Sequence, residues 1–164
     1  MHPEAYRFIV ETIGTPTRVL EIGSLDINGS PRGLVLEADW YGIDLQAGAA
    51  VDEIADAAEW RSDRRFDLVI CAEVLEHTPA VEDILATASL HLESGGRLIL
   101  TCATDGREPH SAVDGGRVRP DEFYENVGPE YLLYCARLAG FEPIRFETHH
   151  DRGDLYLLAV KHHG

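Results

Sequence analysis

The fold reading of this chain turns on one segment, Arg18-Val19-Leu20-Glu21-Ile22-Gly23-Ser24-Leu25-Asp26-Ile27-Asn28-Gly29-Ser30. Its first five residues are a short apolar run holding a single acid, the length and character of a buried strand, and a glycine ends it. A strand that opens into such a loop leads to a ligand crevice at the carboxyl edge of a parallel sheet. The dinucleotide fingerprint wants glycine at the first, third and sixth loop positions, and counted from Gly23 these hold Gly23, Leu25 and Asn28. A pyrophosphate also needs an anion-friendly helix start, whereas Glu21 and Asp26 flank this loop and repel one. A phosphate-free ligand carrying positive charge suits these acids better. S-adenosylmethionine, with its sulfonium and amino groups, is such a ligand, and NAD is not.

On either side of this segment, short apolar runs alternate with helical segments, the pattern of parallel strands joined by crossovers. Residues 3–13 read as an amphipathic helix closed by Pro16. Residues 40–45 form a second strand ending in acid, 53–56 a brief third, and 66–72 the fourth and most apolar. Thr78-Pro79 opens a helix to about Leu92, with Thr78 as N-cap and Glu82 and Asp83 at its positive end. Ser94-Gly95-Gly96 ends that helix before a fifth strand at 97–102. Residues 129–139 read as a helix capped by Gly140, and strands at 142–147 and 154–160 follow, joined by a tight turn into an antiparallel hairpin. The expectation is one α/β domain over residues 1–164: a Rossmann-like, doubly wound, mostly parallel sheet with a C-terminal antiparallel hairpin. That hairpin counts against ordinary nucleotide dehydrogenases, whose second half repeats the parallel unit.

Composition narrows the partners. The 164 residues include 29 acids against 14 basic groups, a net charge of −15, which repels phosphate backbones and anionic membranes. A small-molecule, sugar or peptide acceptor is therefore favoured over nucleic acid, and the sequence leaves the oligomeric state open. No run approaches the roughly 18 apolar residues of a membrane span. Met1-His2-Pro3-Glu4 lacks the layout of a secretory signal. Cys71, Cys102 and Cys135 are scattered, odd in number and set in apolar segments, so they read as reduced thiols of a cytoplasmic protein.

Read in order, Val19-Leu20-Glu21-Ile22-Gly23, Gly42-Ile43-Asp44-Leu45, Ala55-Asp56-Ala57, residues 66–77 and Ser94-Gly95-Gly96-Arg97-Leu98-Ile99 resemble the class I S-adenosylmethionine-dependent methyltransferases. The similarity is greatest to the broad group with a Glu-Val-Leu-Glu-His signature after the fourth strand, here Glu73 to His77. It covers residues 18–102 well and the remainder in outline. Leu25 and Gly29 depart from the tighter Gly-x-Gly arrangement of the first loop. The resemblance implies the strand order 3-2-1-4-5-7-6. By the same resemblance Glu21, Gly23 and Ser24 hold the methionine end of the cofactor, Asp44 and Leu45 the ribose, and Asp56 and Ala57 the adenine. Cys71 and Ala72 would line the floor near the sulfonium. The implied activity is methyl transfer to an O or N atom of a small or medium acceptor.

Methyl transfer from a sulfonium is an in-line displacement with a good leaving group, so alignment supplies much of the rate, up to ~7–11 kcal/mol. A hydroxyl acceptor also needs its proton removed by a base or a metal. His77 and His110 are the candidate bases, although Glu76 and His77 also read as a cap of the next helix that packs under the cofactor. In some relatives Glu-x-x-Glu-His holds a divalent cation. Glu73, Glu76 and His77 match it, with His110 as a further ligand, and this donor set suits Mg²⁺ or Mn²⁺. Residues 103–127 form a long polar stretch, read either as a lid or as a solvated connection. A catalytically silent cofactor-binding module is the alternative from a different class.

Overall fold

Strand Phe66–Ala72 is apolar almost throughout because it feeds two cores. Val69 and Cys71 enter one apolar layer, and Leu68 and Ile70 enter the other. The same alternation runs through the neighbouring strands, so the sheet is covered on both faces. In the computed structural model, which describes residues 2–27 and 29–162, the elements run α1 (Pro3–Thr12), β1 (Arg18–Ile22), β2 (Asp39–Asp44), β3 (Glu53–Ile54), β4 (Phe66–Ala72), α2 (Val81–His91), β5 (Leu92–Ala103), α3 (Pro129–Leu138), β6 (Phe141–His149) and β7 (Asp154–Lys161). Asn28, the sixth position of the first loop, lies outside the described residues.

The sheet order is β3-β2-β1-β4-β5-β7-β6. Strands β1 to β5 pair in parallel, and β7 runs antiparallel between β5 and β6, so the expected Rossmann-like α/β sheet with its terminal hairpin is present. Helices α2 and α3 bury Ile84, Leu85, Ala88, Leu132, Cys135 and Ala136 against one face. Helix α1 buries Ala5, Phe8 and Ile9 against the other, where Ile99 and Tyr156 meet it. Each such fully buried large side chain contributes roughly 1.5–3 kcal/mol. Two strand cations also dock helices by their carbonyl ends. Arg97 donates to Thr12 O at 2.9 Å and Ile13 O at 2.7 Å, and Lys161 Nζ to Ser89 O at 2.6 Å and Leu92 O at 2.8 Å.

The structure corrects three local expectations. Among the described residues the β1–β2 crossover carries only the 3-10 turn Pro31–Leu34, and no α-helix lies between β2 and β4. Thr78 is not the N-cap of α2. A 3-10 turn over Leu75–His77 takes up the chain first, Thr78 Oγ1 accepts from Ala80 N at 3.1 Å, and the helix begins at Val81. Nor does Ser94-Gly95-Gly96 end that helix. Leu92 already pairs with Phe66, and the glycines form the bulge that shifts the register before Arg97 pairs with Leu68. Gly95 lies at φ +75°, and a Cβ on Gly96 would fall 2.9 Å from Glu93 O. Among the described residues no helix is long and apolar enough to cross a membrane.

Candidate active site

A cleft of about 910 Å³ opens at the carboxyl ends of β1 to β4, within the range of small-ligand pockets. Its wall brings together Glu21, Gly23, Ser24, Asp44, Leu45, Asp56, Ala57 and Ala72. Cys71 is not part of that wall: it is fully buried, and its side chain lies in the apolar layer with Val69. Loop geometry explains how the acids are presented. Gly23 sits at φ +73°, and a Cβ there would lie 2.3 Å from Val74 Cγ2, so only glycine lets the loop pass under the β4 exit. Gly23 N and Ser24 N both donate to Ile43 O, at 3.0 and 3.2 Å, which fastens the loop to β2. Asp44 accepts from Leu25 N at 3.1 Å and Gln46 N at 3.0 Å, while Asp56 accepts from Ala58 N at 2.9 Å.

Glu21 is only 6% exposed, and burial pushes its carboxyl up to about 7 even though the Arg32 guanidinium stands beside it. Ser24 Oγ is buried without a hydrogen-bond partner among the described residues.

At the end of β4 the backbone enters the left-handed region at Glu73, φ 56°, and turns into the segment carrying Glu76 and His77. Both carboxyl oxygens of Glu76, Glu73 Oε1 and His77 Nδ1 are buried without a hydrogen-bond partner among the described residues. Burial, reinforced by Glu73, pushes the Glu76 carboxyl upward. Burial first, and then the neighbouring His110, lower His77 to about 4, so its imidazole stays neutral at pH 7. The rings of His77, His110 and Tyr124 meet edge-on with centroids 5.0 to 5.4 Å apart. Donor atoms of Glu76, His77 and His110 lie within 4.8 Å of one another. The structure thus places His110, rather than Glu73, with Glu76 and His77. Glu73 turns toward His2, whose Nε2 is 3.5 Å away.

Residues 103–127 form no helix or strand beyond Ala103, yet they are fixed at several points. Thr104 N donates to Gly153 O at 2.8 Å, Glu125 N to Glu76 O at 2.9 Å and Val127 N to Ala103 O at 2.9 Å. Arg107 is ion-paired with Asp154, which is 1% exposed and also accepts from Tyr156 Oη at 2.8 Å. Arg107 through Ala112 thereby lie along the cleft wall. Sequence reasoning missed this anchor, the Arg32 contact to Glu21 and the presence of His2 in the wall. The sole trace of the anchor was an acid opening an otherwise apolar strand at Asp154.

The chain is 29% identical over 140 residues to a ubiquinone biosynthesis O-methyltransferase of Ralstonia nicotianae, covering 71% of this chain and 59% of that relative. This chain therefore spans less than two thirds of that relative's length. A structure of the 1,6-didemethyltoxoflavin-N1-methyltransferase of Burkholderia thailandensis, with S-adenosylhomocysteine bound, superposes with a TM-score of 0.70 at 20% identity over 98% of this chain and 78% of that one. The [4+2]-cyclase SpnF shares the fold at a TM-score of 0.72 and 19% identity, over 98% of this chain and 81% of that one. Residues 4–145 match the family model described as a methyltransferase domain. With that match over most of its length and the 3-2-1-4-5-7-6 sheet beneath it, the chain belongs to the class I, S-adenosylmethionine-dependent methyltransferase family.

Proposed function

We propose that residues 1–164 act as one methyltransferase domain that moves the methyl group of S-adenosylmethionine to an O or N atom of a small or medium acceptor. One observation carries the reading: Glu21, Asp44 and Asp56 converge on a single cleft from successive strand ends. The arginine on that wall, Arg107, is already committed to Asp154. The cleft therefore suits a cationic, phosphate-free nucleoside and opposes a pyrophosphate. When bound, the cofactor supplies an electrophilic methyl on a sulfonium leaving group. Glu21, Gly23 and Ser24 would hold its methionine end, with the unpartnered Ser24 hydroxyl free to bond there. Asp44 and Leu45 would hold the ribose, and Asp56 and Ala57 the adenine. Ala72 would floor the reacting centre, and Arg107 to Ala112 would shield it from water. Titration calorimetry with S-adenosylhomocysteine tests this. Micromolar binding is expected, and no heat at high micromolar ligand would overturn it.

The orphaned donors favour a metal-assisted O-transfer as the form of this reaction. A His77 whose conjugate acid is made so strong is a weak general base alone, but its ring is already unprotonated and so open to a metal. Glu76, His77 and His110 would hold Mg²⁺ or Mn²⁺, and the ion would lower the pKa of an acceptor hydroxyl. The O-methyltransferase named among the relatives supports an oxygen acceptor. Turnover unchanged in excess chelator would dispose of the metal. A second reading is a silent cofactor-binding module, which SpnF motivates, since a protein named a cyclase shares this fold. It predicts cofactor binding without product from any acceptor.

A further inference from the structure

Behind the cleft wall, Arg32 joins three parts of the chain. Its Nε donates to Glu21 Oε2 at 3.0 Å, and its Nη2 donates to Ala50 O at 2.5 Å and Asp52 Oδ2 at 2.9 Å. Asp52 Oδ2 accepts in turn from Gly42 N at 2.8 Å. Strand β1 places Glu21 opposite Gly42 on one side and Ile70 on the other, so no neighbouring strand offers Glu21 a cation. Gly42 makes the guanidinium's path: a Cβ there would lie 2.3 Å from Arg32 Nη2 and 2.2 Å from Ala50 O. Ala50 holds φ 66°, a backbone conformation strained for a non-glycine residue, and its carbonyl meets the same nitrogen. Arg32 itself is not part of the cleft wall, whereas Glu21 is.

We infer that Arg32 is a positioning residue for the cofactor. It grips one oxygen of Glu21 from behind and leaves the other oxygen, Oε1, turned to take the ammonium of the methionine end. This rests on the proposed role of Glu21. Among the described residues Oε1 meets only the Ser30 hydroxyl, at 3.5 Å. The charged groups around Glu21 are Arg32 with Asp52 behind it and Asp26 in the loop, with Asp44 on the same cleft; Asp26 opposes ionisation and Arg32 favours it. An opposite charge at this range typically holds a carboxyl down by about 1–3 units. Losing Arg32 would therefore leave about a tenth or less of Glu21 ionised at neutral pH.

The test is calorimetry of S-adenosylhomocysteine binding to the parent, Arg32→Met, Glu21→Gln and the double variant, from about pH 6 to about pH 8.5. Arg32→Met should weaken binding at least about fivefold at neutral pH and recover toward the parent as pH rises. The double variant should bind no worse than Glu21→Gln alone, because Arg32 acts through that carboxylate. Should Arg32→Met lose its circular dichroism signature, Arg32→Lys replaces it. That variant keeps the charge but cannot span both carboxylates, so it should bind more weakly than the parent. Parent-like affinity at every pH, or losses that multiply in the double variant, would overturn the inference. Failure of the parent itself to bind would instead count against the cofactor reading.

Discussion

Gly23→Ala isolates the contact that lets the first loop reach the cleft. Two effects act at that position. Alanine at φ +73° costs about 1–2 kcal/mol over glycine. Its Cβ would also lie 2.3 Å from Val74 Cγ2, so Val74 must move within a packed layer, a cost of about 1–3 kcal/mol. The sum, about 2–5 kcal/mol, lowers the melting temperature by roughly 5–15 °C in a domain of this size. A thermal-unfolding cycle with Val74→Ala separates the two. Removing Cγ2 relieves the steric part and leaves the dihedral part, so Gly23→Ala should cost about 1–3 kcal/mol less in the Val74→Ala background. The double variant should also regain part of the cofactor affinity that Gly23→Ala loses. Melting within a degree of the parent, or costs in the cycle that simply add, would refute this account of the loop.

Asp154→Ala removes the buried partner of Arg107 and of the Tyr156 hydroxyl. Arg107 is about a quarter exposed, so the loss should fall near the low end of the range for broken buried pairs, about 2–3 kcal/mol in urea unfolding, with faster amide exchange at residues 104–112. An unchanged urea midpoint would remove the anchor from the account. Ala50→Gly relieves a left-handed alanine and should leave stability unchanged or raise it by up to about 1 kcal/mol; a clear loss would contradict the strain assigned there. Glu21 gives a pH signature whose sign is fixed. Its folded pKa of about 7 exceeds its ordinary 4.5, so the native state keeps a proton that the unfolded chain has released. Stability should fall as pH rises from about 4.5 to about 7 and then level off, by an amount on the order of 1–3 kcal/mol. Glu21→Gln should lose that component, and an identical slope in parent and variant would rule Glu21 out as its source.

Much of this molecule was legible because its signals are local and ordered. Strands β1 and β4 are short apolar runs, and the acids at Glu21, Asp44 and Asp56 stand near or just beyond strand ends. Strand ends in such a sheet share one edge, so order in the chain became proximity in the cleft. The Thr78 cap failed for a local reason of another kind: a strained Glu73 and a 3-10 turn use up the residues from which the helix was expected to start.

What the amino-acid order determined by itself was the sheet, its terminal hairpin and the edge on which the acids gather, since periodicity and strand-end position survive any detail of packing. Tertiary structure alone decided which side chains look into that edge. Cβ direction alternates along a strand, so Ala72 opens to the cleft while Cys71, one residue earlier, is sealed in the core. It also chose the partners, Arg32 for Glu21 and Asp154 for Arg107, and set His110 beside Glu76 and His77. These contacts join different loops and strands, from 11 residues apart for Arg32 and Glu21 to 47 for Arg107 and Asp154, and no spacing rule connects them; they exist only where packing brings the loops together.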